Sequence, residues 1–265
     1  MAQQDPTNRP ELDEFSAQIL SGKSPGLRAG RRVFRTLPSS PRCNLCAAPF
    51  SAPAGPLMRF IGRGPWAKNP RYCTACFKQL RDYRSGAETA ASFLFADVRG
   101  STALAETMRP QIFTGLMNRF FKVASEILIE HDAFVDKFVG DEVIGLFVPV
   151  LAGVNHAEKA IKSGELLLSA TGNAGQNPWL PIGVGVHTGV AYVGTVGEGD
   201  NVDLTAMGDP VNVTARLAGA AGAGEMLVTV EAAAAAQLHD EGLERRRLEL
   251  KGKSDTTDVL VVRAS

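Results

Sequence analysis

Two acidic residues and four cysteines carry the spacings from which chemistry can be read. Cys43, Cys46, Cys73 and Cys76 form the pattern C-x2-C-x26-C-x2-C. Each two-residue gap lets a pair of thiolates reach one tetrahedral ion from a tight turn. The histidines His131, His156, His187 and His239 all lie downstream of the pattern, so none competes for the role. Structural Zn²⁺ on four thiolates is the simplest assignment, with an iron–sulfur centre, or free or disulfide-bonded cysteines, as the alternatives. Asp97 follows the apolar run Phe93–Phe95, at the polar end of an expected strand, and Arg99-Gly100-Ser101-Thr102 then opens a helix. Backbone N–H groups at such a start attract phosphate, and a neighbouring carboxylate can hold the accompanying Mg²⁺; an N-cap or turn would use the same residue type. Asp141 falls at the tip of an expected hairpin, Phe134–Val148 turning at Gly140–Asp141, where aspartate is also an ordinary turn former. If the two strands pair side by side, Asp97 and Asp141 meet, and two carboxylates at one sheet edge suit two-metal phosphoryl transfer.

The elements that must position these residues follow from periodicity. After Phe93–Phe95 and a helix from Pro110 to about Glu130 come the hairpin and a helix around Ala157–Ala170. Strands at Ile182–His187 and Ala191–Val196, a helix Pro210–Ala221, a strand Met226–Val230, a helix Glu231–Leu238 and strands near Leu248 and Val259–Val262 complete an α+β domain over residues 90–263. Residues 41–82 form a separate four-cysteine module, rich in Pro, Gly and Arg, with too few apolar residues for a core of its own; a bound metal is expected to supply its folding energy. A linker is expected near Arg81–Thr89. Residues 1–40 form an extension with a helical pattern around Leu12–Leu20 and a basic run, Arg28, Arg31, Arg32 and Arg35, which reads as a solvated face or a docking surface.

Composition narrows the function classes. Lys and Arg number 28 against 28 Asp and Glu, so no overall field draws the chain to nucleic acid or anionic membrane, and any phosphate-binding surface must be local. The N-terminus lacks the layout of a secretory signal, and no apolar stretch reaches the roughly 20 residues of a membrane helix. The expectation is a cytoplasmic protein whose cysteines are reduced.

The motifs FADVRGST, DKFVGDEVIGLF, GVGVHTGVAYVG and DLTAMGDPVNVTARL, in that order, resemble the class III adenylate/guanylate cyclase domain over Ser92 to Val262. The resemblance implies a ferredoxin-like cyclase fold, with Asp97 and Asp141 holding two Mg²⁺ or Mn²⁺ ions that activate the ribose 3′-hydroxyl of ATP. Asn212 and Arg216, one helical turn apart, are by themselves ordinary surface residues. They match the family's ribose-orienting asparagine and transition-state arginine. Lys137, in K-x-x-G-D, matches the adenine-recognising lysine; Thr205 stands where many members have aspartate, as in a bacterial subgroup with threonine. Lys251 matches the lysine that grips the terminal phosphates, with Lys253 as its competitor. His187 reads as a packed histidine without a catalytic role. The resemblance further implies a homodimer with shared sites making cyclic AMP and pyrophosphate, with guanylate cyclisation, or a catalytically silent regulatory domain, as the rival readings.

Overall fold

The structure, a computed structural model, describes residues 18, 20, 24–38, 40–67, 69–82, 86–175, 177–196, 203–250 and 256–263. The helix expected around Leu12–Leu20 lies almost wholly outside the described residues. The elements are α1 (Pro25–Phe34), α2 (Gly55–Phe60), β1 (Pro65–Trp66), β2 (Asn69–Cys73), α3 (Thr74–Asp82), β3 (Ala87–Val98), α4 (Ser101–Thr107), α5 (Pro110–Glu130), β4 (Phe134–Val139), β5 (Glu142–Phe147), α6 (Pro149–Ala152), α7 (His156–Ala170), β6 (Ile182–Val196), β7 (Asp203–Met207), α8 (Asp209–Ala220), β8 (Glu225–Thr229), α9 (Val230–Ala236), β9 (Glu244–Glu249) and β10 (Thr256–Arg263). They form two compact units: residues 1–89, 149–151 and 192–206 make the first, and 90–148, 152–191 and 207–265 the second. The fold class is α+β, as expected.

The sheet of the second unit runs β4-β5-β3-β6-β8-β10-β9. Strand β6 is parallel to β8, while β4–β5, β5–β3, β8–β10 and β10–β9 are antiparallel. Strict alternation sends Leu94, Ala96 and Val98 of β3, Val184 and Val186 of β6, and Met226 and Val228 of β8 to one face. There they pack on Phe120, Ala124 and Leu128 of α5 and Ile161, Leu167 and Leu168 of α7. The α5 residues recur at helical spacing, so one stripe of the helix is buried, and Pro110 pre-sets its first turn. Each large side chain sealed in this layer contributes roughly 2 kcal/mol. Helix α8 crosses the opposite face, seating Val213, Leu217 and Ala221 on Leu227, Val259 and Val261. Its approach depends on Gly185, where a Cβ would lie 2.5 Å from the backbone nitrogen of Ala218.

Three expectations need correction. The strands expected at Ile182–His187 and Ala191–Val196 are one continuous strand, β6. Gly189 interrupts the apolar pattern without turning the chain; it makes room for Pro210, which a Cβ there would meet at 2.8 Å. Strand β3 begins at Ala87, inside the stretch read as a linker, and β7 was too short and mixed in composition to be seen. The cysteine module also has a core: Leu45, Ala48, Phe50, Met58 and Tyr72 are buried around the four cysteines. Buried thiols behave as small apolar groups, and counting them as ligands alone hides that contribution. Trp66 and Phe77 stack with centroids 3.6 Å apart in the same unit.

Candidate active site

Glycine sets the geometry of the β4–β5 hairpin. Gly140 has φ of +62°, the left-handed value that a two-residue turn asks of its first central position, and Asp141 follows it at the tip. Strand β5 then pairs with β3 so that Glu142 stands opposite Asp97, Ile144 opposite Phe95 and Leu146 opposite Phe93. The turn thus delivers Asp141 to the end of β3, where its charge acts on the Asp97 carboxyl. Two residues remote in sequence share one sheet end.

The electrostatics are those of crowded negative charge. Burial raises the Asp97 carboxyl above its ordinary value, the Arg99 guanidinium opposes that rise, and the Asp141 charge adds to it. Glu142 is pushed up to about 7 by burial and by the charges of Asp97 and Asp141. Sequence reading missed Glu142; its signal was the parity of a two-residue hairpin, which puts the residue after the tip on the same face as Asp97. It also missed Arg99, whose guanidinium pairs with the Asp97 carboxylate. A set of hard oxygen donors whose mutual repulsion is relieved by added positive charge fits a divalent cation such as Mg²⁺ or Mn²⁺.

Strand β4 carries Lys137 beside a bulge. Val135 pairs with Gly145 and Phe138 with Val143, so Asp136 and Lys137 together oppose Ile144. Such an extra residue re-aims side chains locally. The Lys137 Nζ lies 3.7 Å from the largely buried Asp136 carboxylate, and Phe138 stacks on Phe121 of α5 with centroids 4.4 Å apart. On α8, the exposed Asn212 and half-buried Arg216 lie away from the buried Val213–Leu217 stripe. Thr205 is buried on β7, in the first unit. Lys251 and Lys253 lie outside the described residues. His187 donates to or accepts from the Thr229 hydroxyl at 2.8 Å, as a packed histidine does.

The four cysteines form one cluster, with every Sγ within 4.8 Å of the others. Cys43–Cys46 closes on Ala47, whose φ is +63°, while Cys73 and Cys76 bracket the start of α3, where the Cys76 N–H donates to the Cys73 Sγ at 3.4 Å. All four are free thiols. The Cys46–Cys73 separation of 3.7 Å is far too long for a disulfide. It equals the edge of a tetrahedron with metal–sulfur bonds of about 2.3 Å, roughly 3.8 Å. The hydrogen bond with Cys43 helps bring Cys73 down to about 7. Arg63, a residue the spacing argument passed over, points its Nη1 at the Cys46 Sγ at 3.6 Å and lies over the Phe34 ring.

The family described as "Adenylate and Guanylate cyclase catalytic domain" matches residues 84–262. Adenylate cyclase 1 of Rhizobium meliloti is 34% identical over 132 residues, covering 48% of this chain and 20% of that protein. An adenylate cyclase of Anabaena cylindrica is 31% identical over 134 residues, covering 48% and 26%. The chain therefore spans about a quarter or less of the length of these relatives. Among solved structures, the adenylyl cyclase CyaB from P. aeruginosa superposes with a TM-score of 0.57 at 28% identity, covering 68% of this chain and 97% of that one. The guanylyl cyclase Cya2 gives 0.60 at 26%, covering 68% and 94%. The chain belongs to the class III adenylate/guanylate cyclase family, with a four-cysteine cluster in its N-terminal region. Among the described residues no helix is long and apolar enough to cross a membrane.

Proposed function

We propose that this chain is an adenylate cyclase, converting ATP to 3′,5′-cyclic AMP and pyrophosphate. The observation that carries the reading is the meeting of Asp97 and Asp141 at one sheet end in a chain of the cyclase family. Asp97 and Asp141 hold two divalent cations, which when bound supply Lewis acidity to the triphosphate and lower the pKa of the ribose 3′-hydroxyl. The 3′-oxygen gives up its proton to water and forms a bond to the α-phosphorus as the bond to the bridging oxygen breaks, and pyrophosphate leaves with that electron pair. Arg216 stabilises charge on the transferring phosphate, Asn212 orients the ribose, and Lys251 grips the terminal phosphates. Lys137 donates to a ring nitrogen of adenine, and the Thr205 hydroxyl accepts from the exocyclic amine.

The carboxylates and the α8 residues come from different subunits of a homodimer, giving two equivalent shared sites. The cysteine cluster holds structural Zn²⁺, and four reduced thiols suit a cytoplasmic protein. Incubating pure protein with ATP or GTP and Mg²⁺ or Mn²⁺, with products identified by mass, tests the activity. Cyclic AMP that disappears in Asp97→Ala is the expected result; cyclic GMP as the main product overturns the substrate assignment, and no cyclic product from either nucleotide overturns the enzyme.

A further inference from the structure

Arg99 connects two parts of the molecule to which the proposed reaction gives separate tasks. Its backbone N–H donates to the Pro181 carbonyl at 2.8 Å, fixing the residue at the junction of β3 and β6. From there its guanidinium forks. Nη2 pairs with the Asp97 carboxylate, while Nη1 donates to the Gly219 carbonyl at 2.9 Å. Gly219 lies in the last turn of α8, where carbonyls lack helical partners and the helix dipole favours a cation. Arg216 lies three residues earlier on the same helix.

A guanidinium on the Asp97 carboxylate and a divalent cation at the same group compete, since each neutralises one crowded charge. We propose that Arg99 is a positioning residue that couples cation occupancy at Asp97 and Asp141 to the setting of α8, and through it to Asn212 and Arg216. The inference rests on the cyclase reading. Arginine suits the task because a planar fork reaches a carboxylate and a carbonyl together, whereas the single ammonium of lysine serves one partner at a time.

The test compares the wild-type chain with Arg99→Gln and Arg99→Lys. Mn²⁺ binding is measured by the paramagnetic resonance signal of the free ion, and kcat and KM for ATP are measured at saturating Mn²⁺. Removing the competing charge in Arg99→Gln should tighten Mn²⁺ binding by about fivefold and lower kcat by about tenfold, with KM unchanged. Arg99→Lys should keep Mn²⁺ affinity near wild type yet lose kcat to the same degree. Equal or weaker Mn²⁺ binding in Arg99→Gln, or full kcat in Arg99→Lys, overturns the coupling while leaving the cyclase reading intact. A wild-type chain that binds Mn²⁺ but makes no cyclic nucleotide overturns the cyclase reading, and the coupling with it.

Discussion

Glu142 faces Asp97 directly across the β3–β5 ladder, one residue beyond the tip that supplies Asp141. The folded chain keeps a proton on Glu142 up to about pH 7, whereas the ordinary carboxyl sheds it near 4.5. The native state thus binds more protons across that window, so stability falls as pH rises through it; the raised Asp97 acts in the same sense. Thermal unfolding without divalent cations should show this decline. Glu142→Gln should flatten the decline and raise stability above about pH 7 by roughly 1–2 kcal/mol. Added Mg²⁺ should raise the wild-type Tm most at the alkaline end, where the cluster is ionised.

Shared sites make a sharper prediction about mixing. Asp97→Ala and Arg216→Ala chains, each inactive alone, should regain activity when co-assembled, since one of the two sites in each heterodimer is whole. Random assortment gives roughly a quarter of wild-type activity. Heterodimers demonstrated by mass and still inactive would argue for sites built within one chain.

Base selection centres on Lys137, held at the β4 bulge beside Asp136. Lys137→Glu should lower kcat/KM for ATP by at least about tenfold, because a donor to a ring nitrogen becomes an acceptor. The same change should lower kcat/KM for GTP by much less. Equal losses on both nucleotides would remove the lysine from base recognition.

The cysteine cluster should hold one metal ion per chain, and elemental analysis should find zinc. Cys46→Ser or a strong chelator should release it and expose amides of residues 43–76 to hydrogen exchange, while core amides of β3 and β8 keep their protection. Because Leu45, Phe50, Met58 and Tyr72 pack around the thiols, the released module should stay collapsed. Arg63→Leu removes the cation that favours the Cys46 thiolate and should slow alkylation of the chelator-stripped cluster.

Much of this architecture was legible because local and global patterns agree. The stripe Met117, Phe120, Ala124 and Leu128 announced α5, and Gly140–Asp141 announced the hairpin that sets Asp141 beside Asp97. What stayed hidden depended on register and on partners. Strict alternation would put Phe134, Asp136 and Phe138 on one face of β4, yet Phe134 pairs with Leu146 and Phe138 with Val143, on opposite faces. No composition rule places Arg99 against Gly219, since that contact joins elements 120 residues apart. Gly189 looked like a break because glycine is permissive in isolation; its function is to leave room for Pro210.

The bulge at Asp136–Lys137 also governs what the gene can tolerate. Removing a single codon from that stretch would restore even pairing, with Phe138 still opposite Val143 and Val139 still opposite Glu142, so everything nearer the tip would keep its face. Phe138 would stay on Phe121, and the change would fall on the residue left opposite Ile144, which would lose the aim the bulge gives it. Related chains that lack one residue here should therefore keep the hairpin and lose only the re-aimed side chain.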